Sequence, residues 1–177
     1  MSFIELVKAR YSVRSFSDKA VEQEKLTYIL EAARFAPSAC NFQPCLFIVI
    51  KDKQSRFSFL EVYDKRWFVG APVIIAVCCD RSMSWKRRDM KEFGDIDAAI
   101  AMDHLTLAAA EQGLGSCWIG AFNEHKAREL LKLPDHIEPV AFTPIGYPDC
   151  TRPEKHRKAI RETVYENSFK ASPDYFS

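Results

Sequence analysis

Asp95-Ile-Asp-Ala-Ala-Ile-Ala-Met-Asp-His-Leu-Thr-Leu-Ala-Ala-Ala-Glu-Gln112, followed at once by Gly113-Leu-Gly-Ser-Cys-Trp-Ile-Gly120, is the stretch on which the fold turns. The first part reads as one long helix. Ile96, Ala99, Ile100, Met102, Leu105, Leu107 and Ala110 leave it little polar surface, so burial on nearly all sides is expected. In a chain of 177 residues, part of that burial is expected from another subunit. Gly113 stands where a left-handed helix cap falls. Ser116-Cys-Trp-Ile119 then reads as a strand.

Working outward, Phe3, Ile4 and Val7 mark a short helix reaching about Arg10. Leu26, Ile29, Leu30 and Ala33 fall at helical spacing within Glu22 to Phe35, and Pro37 marks the end. Cys45-Leu-Phe-Ile-Val-Ile50 and Pro72-Val-Ile-Ile-Ala-Val-Cys-Cys79 read as buried strands. A short helix with Asn123 as N-cap runs to Leu131, and a fourth strand runs from Glu138 to Ile145, ended by Gly146. Helices and strands are intermixed around a small sheet, which is an α+β or three-layer α/β arrangement. The length suits one domain over residues 1–177, without repeats or linkers.

Twenty-five basic and 24 acidic residues give a formal charge of +1, so no overall field recruits nucleic acid or an anionic membrane. Any anion site must be local. Met1-Ser2-Phe3-Ile4-Glu5 shows no basic stretch followed by an apolar run, and Ala71–Cys79 is far short of the ~20 residues that span a bilayer. A cytoplasmic protein is the expectation. In that compartment the six cysteines do not form a disulfide framework, and neither they nor the four histidines have metal-ligand spacing. Cys78, Cys79 and Cys117 read as small buried residues, His104 as an interior histidine, and Trp118 as core. Lys86-Arg87-Arg88 reads as a solvated helix face. Gly113-Leu-Gly115 follows a helix, so it is not a dinucleotide fingerprint.

Three segments far apart carry possible chemistry. Arg10-Tyr11-Ser12-Val13-Arg14-Ser15-Phe16 offers two guanidinium forks and a hydroxyl, the donor types that match phosphate oxygens. Alone, it reads better as a solvated basic loop. Ala36-Pro37-Ser38-Ala39-Cys40-Asn41-Phe42-Gln43-Pro44 supplies amides and a hydroxyl that either order a turn or bond a heteroaromatic ligand. The tail, Arg152-Pro-Glu-Lys155-His156-Arg157-Lys158, is a charge run that would by itself face solvent.

Taken together, Arg-x-Ser-x-Arg-x-Phe, Ala-Pro-Ser-x-x-Asn-x-Gln-Pro, Gly-Leu-Gly-Ser-Cys-Trp-Ile-Gly and Gly-Tyr-Pro followed by Lys-x-Arg-Lys give an order that resembles the nitroreductase family, from Ile4 to about Val164. The resemblance implies an α+β, three-layer α/β/α fold: a small mixed, mostly antiparallel sheet flanked by helices, with the long helix at a homodimer interface. It implies bound FMN, with Arg10, Tyr11, Ser12, Arg14, Lys155 and Arg157 around its phosphate and ribityl chain. Pro37, Ser38, Ala39 and Asn41 would reach it from the partner subunit, with Gln43 near the ring or ribityl hydroxyls. Backbone amides at Ile119, Gly120 and Ala121 would face its N5 edge. It further implies ping-pong turnover, in which NADH or NADPH gives a hydride through flavin N5 to an acceptor such as a nitroaromatic or quinone. A flavin-binding sensor or store, reductive dehalogenation and flavin breakdown are the alternatives. The tail, residues 160–177, would pack on the partner. Tyr11 and Cys45 stand where the family commonly has arginine and tryptophan, and the short Ile50–Asp95 region leaves the roof of the site open or supplied by Phe57–Trp67 or Trp85–Phe93 of the partner.

Overall fold

The computed structural model describes residues 1–169. Its helices, in chain order, are α1 (Phe3–Ala9), α2 (Gln23–Arg34), α3 (Lys53–Ser58), α4 (Arg66–Gly70), α5 (Gly94–Glu111) and α6 (Glu124–Leu131). The strands are β1 (Cys45–Ile50), β2 (Val73–Asp80), β3 (Gly115–Ser116) and β4 (Ile137–Gly146), in spatial order β1-β2-β4-β3.

Side-chain alternation along β2 divides the core into two. Val73, Ile75 and Val77, with Phe47 and Val49 of β1, point toward Leu26 and Ile29 of α2 and Met102 and Leu105 of α5. Ile74, Ala76 and Cys78 point the other way, into Phe59, Phe68 and Phe142 beneath α3, α4 and α6. The three layers are therefore α2/α5, sheet, and α3/α4/α6. The strands pair antiparallel throughout, and the parallel element is confined to a bridge between Ser12 and Ser116.

The expected strand over Ser116–Ile119 is interrupted, and a single residue explains it. Gly115 and Ser116 pair with Gly146 and Ile145, and Ile119 resumes the same register opposite Phe142. In between, Cys117 falls opposite Pro144, which has no N–H to donate across the ladder. The Cys117 N–H bonds instead to the buried Thr143 hydroxyl at 3.3 Å. Released from the ladder, Trp118 is 41% exposed, which corrects its reading as core.

Lys86-Arg87-Arg88 likewise lies on no helix. It forms the start of a loop closed by a Lys86–Glu92 bridge, with Arg87 paired to Asp89 at 2.6 Å. Within one subunit α5 keeps an open stripe: Ile96 and Asp103 are exposed and Ala99, Ile100 and His104 half-buried, at spacings of three and four residues. Gly113 takes φ +74°, as a left-handed cap requires. No described helix is long and apolar enough to cross a membrane. Ile160–Glu162 makes one exposed 3-10 turn, and residues 170–177 of the expected partner-docking tail lie outside the described residues.

Candidate functional site

The Arg10–Arg14 segment leaves α1 in an extended conformation and runs beside β3. Val13 donates its N–H to Ser116 O at 2.9 Å, and its side chain is buried over Gly115. Because side chains alternate along an extended chain, burying Val13 turns Ser12 and Arg14 outward, and both are exposed. Gly115 is essential to this approach: a Cβ there would lie 2.7 Å from Val13 Cγ2.

The tail returns to the same place. Lys155 Nζ donates to Val7 O at 2.9 Å and Arg10 O at 2.5 Å, at the C-terminal end of α1. The Tyr11 hydroxyl donates to Cys150 O at 3.3 Å, so Tyr11 ties down the tail. Its pKa is raised, chiefly by partial burial and then by Cys150. Arg157 is exposed beside this cluster and lines a hollow of about 320 Å³ with Ile4, Val7, Arg10 and Lys155. Crowding of cations registers on the Lys155 ammonium. Its pKa falls below the usual lysine value, first through burial and then through Arg10, Arg157 and Arg152. An anion placed among these groups would relieve that repulsion.

Cys117 lies under the same cluster. Burial raises its thiol pKa, and Arg14, Ser12 and Arg10 oppose the rise. Beyond it Ile119 is buried, whereas Gly120 and Ala121 are exposed; their N–H groups reach no protein acceptor among the described residues.

The Pro37–Gln43 loop sits elsewhere. Cys40, Asn41 and Gln43 take φ of 51°, 57° and 53°, unusual for side-chain-bearing residues. Gln43 N–H to Ser38 Oγ (2.9 Å) and Phe42 N–H to Ala39 O (3.1 Å) fasten the loop internally. Ala39 N–H to Asp97 Oδ1 (3.0 Å) fastens it to the first turn of α5. The basic cluster lies along the second half of that helix: Asp103 and Leu107 share a hollow with Arg10, Lys155 and Arg157, and Ala110 shares one with Arg10 and Gly115. Six residues of helix separate Asp97 from Asp103 and thirteen separate it from Ala110, or about 9 Å and about 20 Å at 1.5 Å per residue.

The Nitroreductase family model matches residues 7–66 and 54–147. The chain belongs to the nitroreductase family. The FMN reductase [NAD(P)H] of Bacillus subtilis is 33% identical over 170 residues, covering 86% of this chain and 68% of that protein. A nitroreductase family protein of Clostridium difficile 630 superposes with a TM-score of 0.89 at 37% identity, covering 95% of this chain and 99% of that one. An FMN-dependent nitroreductase of Clostridium difficile R20291 has a TM-score of 0.81 at 31% identity, covering 94% and 100%.

In this member of the nitroreductase family, Arg10, Ser12, Arg14, Ile119, Lys155 and Arg157 gather around α1 and β3, while Pro37, Ser38, Ala39, Asn41 and Gln43 stand apart. Two residues that organise these groups were not singled out in the sequence. Thr143 reads as one polar residue within an apolar strand, and Asp97 as a solvated carboxylate at a helix start. Each is buried, and each binds a backbone amide far away in the chain.

Proposed function

We propose that this nitroreductase-family chain is an FMN-dependent NAD(P)H oxidoreductase that works as a homodimer. The observation that carries the reading is the convergence of Arg10 and Lys155, 145 residues apart, into a cation cluster completed by Arg14 and Arg157. In a chain of net charge +1, such a cluster is a local anion site. Its donor set fits a phosphomonoester: guanidinium forks and the Ser12 hydroxyl, with Asp103 the one carboxylate lining the hollow against Lys8, Arg10, Lys155 and Arg157. The names of the FMN-linked relatives agree with that chemistry.

Arg10, Arg14 and Arg157 would neutralise the FMN phosphate, with Ser12 adding a hydrogen bond and Lys155 fixing the tail against α1. The free N–H groups of Gly120 and Ala121 would present positive dipoles to the isoalloxazine edge and favour negative charge there. When bound, FMN supplies the two-electron relay between NADH or NADPH and an acceptor such as a nitroaromatic or quinone. The chain then needs no nucleophile or general acid of its own.

The open stripe of α5 supports the homodimer reading. The Pro37–Gln43 loop is fastened at the first turn of α5, and the cation cluster lies farther along the same helix, so within one chain the two stand apart. A two-fold pairing of the open α5 stripe would bring the Pro37–Gln43 loop of one copy to the cluster of the other.

The test is an absorbance spectrum of the purified protein after incubation with FMN, followed by anaerobic addition of NADH and then NADPH. A flavin band that bleaches is expected. A protein that takes up no flavin overturns the reading, and a band that neither nucleotide bleaches overturns the NAD(P)H half of it.

A further inference from the structure

Asp97 is the one charged side chain that is fully buried among the described residues, at 2% exposure. Its Oδ1 accepts the Ala39 N–H, and its Oδ2 is buried without a partner. An under-satisfied carboxylate is costly in a protein interior, and nothing in the packing of α5 against α2 and the sheet calls for one. A place in the first turn of α5 offsets part of the cost through the helix dipole. What the carboxylate does provide is an anchor. Ser38–Gln43 carries three non-glycine residues at positive φ, a conformation that persists only where surrounding contacts enforce it. Four of those contacts lie within the loop itself, and the Asp97 bond joins it to the rigid α5. Asp97 also lines a cavity of about 140 Å³ together with Ser38, Gln43 and Cys45.

We propose that Asp97 is a positioning residue that holds the Ala39 amide, and through it the Ser38–Gln43 loop, in the conformation that completes the flavin site of the partner subunit. The proposal rests on the flavin reading above for the ligand, but the link between Asp97 and the loop is independent of it. The helix at the dimer face thereby sets both the position of the loop and the position of the cation cluster that it serves in the other copy.

The experiment compares full-length wild type with Asp97→Asn, which keeps an oxygen acceptor, and Asp97→Ala, which does not. Hydrogen exchange of the apo-protein reports on the loop, flavin fluorescence gives the FMN dissociation constant, and gel filtration and thermal melting report on dimer and fold. In Asp97→Ala the amides of residues 39–43 are expected to exchange at least about tenfold faster and FMN to bind about tenfold more weakly, the scale set by losing one charge-assisted hydrogen bond. Asp97→Asn is expected within about threefold of wild type in both, since the bond survives in neutral form.

Ala39→Pro removes the donor while leaving Asp97 in place. Ala39 follows Ser38, whose φ of −131° and ψ of 157° suit a residue before proline. Faster exchange at Cys40–Gln43 in this variant is expected, and it decides the link even if Asp97→Ala does not fold. Unchanged loop exchange in Ala39→Pro, or in a folded Asp97→Ala, overturns the proposal. So does a loosened loop with unchanged FMN affinity, or an equal fall of Asn and Ala variants in parallel with melting temperature. Wild type that fails to take up FMN overturns the flavin reading instead, and exchange still decides whether Asp97 holds the loop.

Discussion

The Lys155 ammonium sits on the end of α1, shared between the carbonyl oxygens of Val7 and Arg10. A cation there meets unpaired carbonyls and the negative end of the helix dipole, which offsets crowding by Arg10, Arg157 and Arg152. The bond also fixes the course of the Arg10 backbone, from which Ser12 and Arg14 follow.

Replacing Lys155 with methionine keeps the aliphatic stem and removes these bonds. FMN affinity is expected to fall at least about tenfold, more than Coulomb attraction to one screened surface charge would explain, because Arg10 and the tail both lose their anchor. Titration of FMN fluorescence at low and high salt checks this. A loss that vanishes in high salt would mean that Lys155 acts only as a remote charge.

Much of the fold and of the candidate site was legible because apolar periodicity and local motifs carry it. The α2, β1, β2, α5, α6 and β4 segments announce themselves by runs or by helical spacing, and Asn123 caps α6 through Lys126 N–H at 3.1 Å. The short helices α3 and α4 have too few turns to show a period, and they were missed. The break in β3 was hidden because it is caused by Pro144 on the strand opposite, a fact of register rather than of local sequence. Trp118 was misread for the same reason. Asp97 resembles any acidic residue in a first helical turn until the loop above it is placed. The basic segments were legible as donors, but their convergence depends on contacts such as Lys155 to Arg10 that cross most of the chain.

Gly115→Ala tests how tightly the phosphate segment is seated. The new Cβ would come within 2.7 Å of buried Val13, so either the Arg10–Arg14 segment or β3 must move. Overpacking of this kind costs roughly 1–3 kcal/mol of stability. Because Ser12 and Arg14 flank Val13, FMN affinity is expected to fall as well. Urea unfolding and FMN titration of the same variant measure the two effects, and an unchanged urea midpoint would refute the close packing.

Tyr147 donates its hydroxyl to Glu22 Oε1 at 2.9 Å and Oε2 at 2.7 Å, and it accepts from Lys25 Nζ at 3.0 Å. The bond from Tyr147 is the leading reason that the Glu22 carboxyl is held down at about 2, with Lys19 helping. A carboxyl depressed on folding stabilises the protein above its ordinary value of 4.5 and loses that contribution as pH falls toward 2. The stability gap between wild type and Tyr147→Phe is therefore expected at neutral pH and should narrow below about pH 4.5. Urea unfolding of both proteins across this range checks it; a gap that is constant with pH would show that Tyr147 acts only through packing.

Ile96 and Ile100 lie one turn apart on the open stripe of α5, with Asp103 three residues further on. If that stripe meets its own copy about a two-fold axis, a substitution there enters the interface twice. Ile100→Glu would set two buried carboxylates beside two copies of Asp103, with no lysine or arginine on the stripe to pair them. The variant is expected to elute at half the wild-type mass while each subunit stays folded, since Ile100 is only half-buried within its own chain. Flavin should be lost with the dimer, at least about a hundredfold in affinity, because the proposed site takes its Pro37–Gln43 loop from the other copy. Gel filtration with absorbance at the protein and flavin bands reads both quantities in one run. A monomer that still carries FMN would show that one subunit builds a complete site, and the role assigned to the Pro37–Gln43 loop would fall with it.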